Sequence, residues 1–154
     1  MMKLDPKDKA ILRLLQQDAT LTIQQIGDQV GLSANPCWRR IRQLEESGVI
    51  EGRVAKINPK AVGLRMTAFV SIRTSVHSAA WLERFAMAVR AISEIVECHR
   101  MSGDVDYLLK VLVADMDHYD RVYQKLISKV EHLSDVSSAF SMEPLKTDAI
   151  IEIP

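Results

Sequence analysis

Apolar positions in the first fifty residues recur at a helical spacing three times. Leu4, Ile11, Leu12 and Leu15 follow Asp5-Pro6, an N-cap and first-turn pair, and predict a helix ending near Gln17-Asp18. Thr22 and Gln25 form a capping-box pattern before Ile23, Ile26 and Val30, so a short second helix should stop at Gly31. A third helix starts at Ser33, whose hydroxyl is suited to cap it, tolerates Pro36 in its first turn, and ends near Gly48. At about 100° per residue, Cys37, Ile41 and Leu44 share one stripe, while Asn35, Arg39, Arg42 and Gln43 lie roughly opposite. Two short helices joined by a glycine-containing turn are the sequence form of a helix-turn-helix.

Val49–Ile57 is β-prone, reads as a wing or connecting strand, and runs into Asn58-Pro59. The period then becomes two: Met66, Ala68, Val70 and Ile72 alternate with Thr67, Phe69, Ser71 and Arg73. Trp81, Leu82, Phe85, Ala86 and Val89 mark a helix. Ile95–Met101 and Tyr107–Ala114 read as strands around the turn Ser102–Asp106. A helix capped by Asp115 carries Met116, Tyr119, Val122, Tyr123, Leu126, Ile127 and Val130 on one face; a strand over Val136–Glu143 follows, and Ala149–Ile153 offers a peripheral one. Strand-helix-strand-strand-helix-strand is the split βαβ plan, with both helices on one sheet face. The other face has no cover within the chain, so at least a dimer is expected. The fold class is therefore α+β: a winged helix-turn-helix over residues 1–57, a linker over 58–65, and a βαββαβ domain over 66–154.

Composition narrows the function. The 154 residues are 47% hydrophobic and carry 20 basic and 20 acidic side chains, so DNA affinity must come from local charge. Residues 1–56 hold nine Lys/Arg and seven Asp/Glu, a net of +2. The two cysteines, Cys37 and Cys98, lack CxxC spacing and read as reduced thiols. No apolar stretch reaches the roughly 18 residues of a membrane span, and the amino terminus lacks a signal-peptide centre, so a cytoplasmic protein is expected. Cys98-His99, His77, His118 and His132 show no metal-ligand spacing, and no nucleophile-base pair stands out; neither a metal, a cofactor nor an enzyme activity is expected.

On the third helix, arginine suits guanine, and Asn35 and Gln43 suit adenine. Ser33 and the helix amino end suit a phosphate. Arg40 lies nearer the packed edge, where it contacts the DNA backbone or serves structure. Trp38 packs laterally against the first helix or lies along the sugar-phosphate edge. Arg53 and Lys56 are phosphate contacts or plain surface charge. In the second domain, Asp104 and Asp106 suit an ammonium group and Arg100 a carboxylate, together fitting a free amino acid.

Val30-Gly31-Leu32-Ser33, Pro36-Cys37, Arg39, Arg42, Leu44-Glu45 and Gly48-Val49-Ile50, with Glu97-Cys98-His99 and Ser102–Lys110, resemble the leucine-responsive/asparagine-operon (Lrp/AsnC, feast-famine) transcription regulators over nearly the whole chain. The resemblance implies a winged helix-turn-helix followed by a ferredoxin-like ligand-sensing domain, with dimers assembling into octamers or related rings on DNA. It places an amino-acid effector between subunits, around Arg100, Ser102, Gly103, Asp104, Asp106 and Met116, with Ala139, Phe140 and Ser141 of the last strand. Arg100 departs from the apolar residue of the leucine-responsive member. Asn35–Trp38, Thr67–Val70, Arg100-Met101, Leu133–Val136 and Phe140–Glu143 resemble the branch that senses cysteine and switches on its detoxification. The expected function is sequence-specific transcription regulation of amino-acid metabolism. The alternative is an architectural DNA-binding protein without effector.

Overall fold

Helix α1 (Pro6–Gln17) begins as its sequence dictates, with Asp5 accepting from the Lys7 and Asp8 backbone N–H groups and Asp8 returning a bond to the Asp5 N–H. The computed structural model describes residues 3–147 and 150–154. Helices α2 (Ile23–Val30) and α3 (Ala34–Glu46) follow, with the Thr22/Gln25 capping box in place and Gly31 left-handed at φ 67°. Ile11, Leu12, Ile26, Val30, Cys37, Ile41 and Leu44 form the core of this unit.

The segment after α3 forms no strand: residues 51–58 have no regular structure and are exposed, so the wing expected over Val49–Ile57 carries no β-ladder. Nor does the tail add a peripheral strand. Ala149 lies outside the described residues, and residues 150–154 are irregular. By their contacts Met1–Lys56 and Lys146–Pro154 form one compact unit and Ile57–Leu145 the other. Ile153 enters the core with Ile11 and Leu12, and the Gln16 side-chain amide bonds both backbone groups of Ile151, at 3.1 and 2.7 Å.

The second unit opens with a short 3-10 turn (Pro59–Val62) and then runs β1 (Met66–Thr74), α4 (Ala79–Arg90), β2 (Ile95–Arg100), β3 (Tyr107–Val113), α5 (Met116–Lys129) and β4 (Leu133–Phe140). The antiparallel sheet has the order β2-β3-β1-β4. Ala68, Val70, Ile72, Leu109, Val111 and Val113 meet Trp81, Phe85, Val89, Tyr119, Val122 and Leu126, so both helices cover one face. Trp81 stacks on Phe85 at 5.1 Å and donates its ring N–H to the Glu131 carbonyl at 2.8 Å. The opposite face presents Phe69, 39% exposed, paired across the ladders with Lys110 and Ala139. β4 begins three residues before the expected Val136, because Leu133 pairs with Thr74 across a register shift. No helix of the described residues is long and apolar enough to cross a membrane.

Candidate DNA-reading helix and effector loop

The candidate reading helix is set by its approach to α2. Leu32 N–H donates to the Gly27 carbonyl at 2.9 Å, and a Cβ on Gly27 would stand 2.6 Å from the Leu32 carbonyl oxygen. Lys7 donates to the Val30 carbonyl at the end of α2. α3 then presents Cys37, Ile41 and Leu44 inward and Asn35, Trp38, Arg39, Arg42 and Gln43 outward.

Ser33 occupies the N-cap with extended backbone, but its hydroxyl makes no capping bond. A capping oxygen takes the N–H of the second or third helical residue; the third here is Pro36, which has none, so only the Asn35 N–H is left to it, and that bond is not made. The first turn is thus free of a side-chain cap.

The cations of this face differ in what they already hold. Arg40 donates to Asp5 Oδ2 at 2.6 Å and to Asp8 Oδ1 at 2.7 Å, so of its two expected uses the structural one is occupied. These bonds raise the Arg40 pKa, with Asp8 the larger cause; Asp5 is lowered, first by the Asp8 backbone N–H and then by Arg40. Arg42 pairs with Glu46 at 3.3 Å, and Arg53 with Glu45 at 3.1 Å. Lys56 reaches the Thr147 carbonyl at 3.5 Å. Among the described residues Arg39 makes no ion pair. Of the two placements expected for Trp38, packing against α1 is not seen: the ring is 52% exposed, with the Arg42 guanidinium carbon 5.9 Å from its centroid.

In the second unit the loop between β2 and β3 is a closed hairpin, Met101 N–H donating to the Asp106 carbonyl at 2.9 Å with Gly103 at φ 116°. Ser102, Gly103 and Asp104 are exposed. Asp106 is committed in part: Oδ2 accepts from the Thr74 N–H at 2.8 Å, and Oδ1 lies 3.9 Å from His77 Nδ1. Thr74 Oγ1 in turn donates to the His132 carbonyl at 3.0 Å, where the chain turns into β4 with a left-handed backbone. Arg100 sits opposite Tyr107 at this same end.

The remaining effector candidates lie elsewhere. Met116 starts α5 beyond the far end of β3; Ala139 and Phe140 pair with Phe69 and Ala68, and Ser141 N–H donates to the Thr67 carbonyl at 2.9 Å. The six steps of β3 separate the two groups by about 20 Å. Phe140 turns to the helix layer, edge-on to Tyr119 at 5.0 Å, while Ala139 faces the open side. One chain thus brings Arg100, Ser102, Gly103, Asp104 and Asp106 together, and Met116 with Ala139, Phe140 and Ser141 together, without joining the sets. Near Met116, Glu94 holds His118 at 3.3 Å and Lys125 at 3.2 Å, a cluster that sequence spacing did not signal. Its carboxyl is lowered to about 2, chiefly by its own backbone N–H.

Residues 4–51 match the winged helix-turn-helix DNA-binding family, and residues 67–151 match the Lrp/AsnC ligand binding domain. The chain is 51% identical over 152 residues to a glutamate uptake regulatory protein of Zymomonas mobilis, covering 99% of this chain and 92% of that one. An AsnC family transcriptional regulator from Agrobacterium tumefaciens superposes with a TM-score of 0.93 at 50% identity, covering 97% of each chain. The transcriptional regulator NMB0573 of Neisseria meningitidis, solved as its L-Met complex, gives 0.91 at 29% identity, again over 97% of each chain. With a DNA-binding helix-turn-helix ahead of a ligand-binding sheet domain along its whole length, the chain belongs to the Lrp/AsnC family of transcription regulators.

Proposed function

We propose that this regulator reads double-stranded DNA through Ser33, Asn35, Arg39, Arg42 and Gln43, and that an amino acid bound between two copies alters the affinity. The exposed Arg39, without an ion pair among the described residues and on a helix packed by its other face, is the observation that carries the DNA reading. Arg39→Ala is expected to weaken binding about tenfold to a duplex that the wild-type chain recovers from a random-sequence pool. The measurement is a mobility-shift titration at fixed salt. Unchanged affinity rejects this face.

The placement of the effector residues supports a site made from two copies, the loop of one meeting the far end of the other's sheet. The open face around Phe69 supplies the contact, and a homodimer building to an octamer is the proposed assembly, in the cytoplasm. Arg100 and Asp104 complement the two charges of an amino acid. Glutamate, methionine and cysteine head the panel: the first two are named with a relative and a solved structure, the third follows from the sequence resemblance. A ligand at a hundredfold its Kd stabilises by about 2.7 kcal/mol, so one amino acid of the twenty should raise the melting temperature by several degrees. A flat panel favours an architectural protein without effector. Asp106→Ala is expected to abolish that rise while leaving DNA affinity within about twofold, because it removes both a candidate ligand contact and the tether to Thr74. Calorimetry with unaltered ligand affinity would sink the assigned loop.

A further inference from the structure

Trp38, Arg42 and Glu46 stand four residues apart along α3, a spacing that lines them on one ridge of the helix. Trp38 leaves a large apolar ring 52% exposed, clear of the stripe made by Cys37, Ile41 and Leu44. Arg42 fills the space above it, its guanidinium carbon 5.9 Å from the ring centroid. On the far side Arg42 NH2 meets Glu46 Oε1 at 3.3 Å. The guanidinium is therefore held between a π-face and a carboxylate, whereas Arg39 beside it is held by neither.

The two holds differ in what they leave available. A ring takes no hydrogen bond from the guanidinium and leaves its N–H donors open, including the edge that meets guanine O6 and N7. The carboxylate occupies one donor and must give way to a base or phosphate. An unrestrained arginine also surrenders rotamer entropy when fixed. One already held over a ring has surrendered part of it before DNA arrives.

We propose that Trp38 is a positioning residue for base recognition: it orients Arg42 for readout in the major groove, and Glu46 holds the waiting guanidinium until DNA displaces it. The proposal rests on α3 presenting its exposed face to DNA, and the test separates the two. The duplex recovered by the wild-type chain and a scrambled duplex of equal composition are titrated with wild type, Trp38→Leu, Arg42→Ala, the double variant, Trp38→Phe and Arg39→Ala.

Trp38→Leu is expected to weaken binding to the recovered duplex about two- to fivefold, and Arg42→Ala about tenfold. The double variant should bind like Arg42→Ala alone, since the tryptophan then has nothing left to orient. Trp38→Phe should recover most of the loss, and affinity for the scrambled duplex should hardly move. An equal loss from Trp38→Leu in the presence and absence of Arg42 overturns the proposal, because the ring then acts on DNA or on the fold directly. So does a Trp38→Leu chain that binds like wild type. If Arg39→Ala weakens binding and Arg42→Ala does not, positioning falls while the reading face stands; if neither weakens it, the face itself is wrong. Melting curves of the Trp38 variants are expected to match wild type, since the ring lies outside the core.

Discussion

Gly27→Ala is expected to lower the melting temperature by about 4–8 °C and to weaken DNA binding at least tenfold, although residue 27 is buried in α2. The added Cβ would stand 2.6 Å from the Leu32 carbonyl oxygen and 3.7 Å from Cys37 Cβ. The near atom is backbone, in the turn that launches α3, and that turn is tied to Gly27 itself by the 2.9 Å bond from Leu32 N–H. It cannot swing aside as a flexible side chain would. Overpacking of this kind costs about 1–3 kcal/mol, against which alanine's better helix propensity returns at most about 1 kcal/mol. Because the clash is with backbone the upper end of that range applies, and a net loss near 2 kcal/mol corresponds to the stated shift for a chain of this size. The affinity loss follows from geometry: whatever relieves the clash moves the start of α3, and Asn35 and Arg39 with it. Gly52→Ala is the control, since a Cβ there meets nothing within 4 Å. A Gly27→Ala chain that melts and binds like wild type would contradict the close approach.

The same residue marks what the sequence disclosed and what it withheld. Gly31 was legible because it interrupts a pattern and ends a helix, and it is left-handed as that role requires. Gly27 sits inside a helical repeat where one glycine is merely tolerated; only the tertiary approach of Leu32 gives it a purpose. The period-two strands were legible because one sheet face is buried, so Val70 and Leu109 had to alternate with Phe69 and Lys110. Val49–Ile57 has strand composition but no partner strand, and β propensity without a ladder builds nothing. Ile150, Ile151 and Ile153 invited the same reading, yet Ile153 fills a gap in the α1 core. At Ser33 the sequence also carries a contrary signal, since Pro36 removes one of the two N–H groups that a capping hydroxyl could take. The candidate effector residues were legible as motifs and not as a single site, because one chain holds them in two groups at opposite ends of β3.

Arg40→Ala is expected to cost about 1–2 kcal/mol, several degrees of melting temperature, without changing how DNA affinity depends on salt. Asp8 is only 4% exposed, and its carboxylate has Arg40 at 2.7 Å and the Asp5 N–H at 3.1 Å as partners. Alanine at position 40 leaves that buried charge with a single neutral donor. The cost stays below that of a fully buried pair because the arginine side chain is 32% exposed and water partly replaces it. The salt dependence separates a clamp from a contact. A cation that neutralises a phosphate releases counterions, so removing it flattens the plot of log affinity against log salt by about 0.9. Arg39→Ala should show that flattening. Arg40→Ala should keep the wild-type slope, because its guanidinium is already neutralised by two carboxylates of α1 and has no counterion to release. Should Arg40→Ala instead flatten the slope and leave the melting temperature untouched, Arg40 would be a phosphate contact, and the ion pair holding α3 against α1 would be of no consequence for stability.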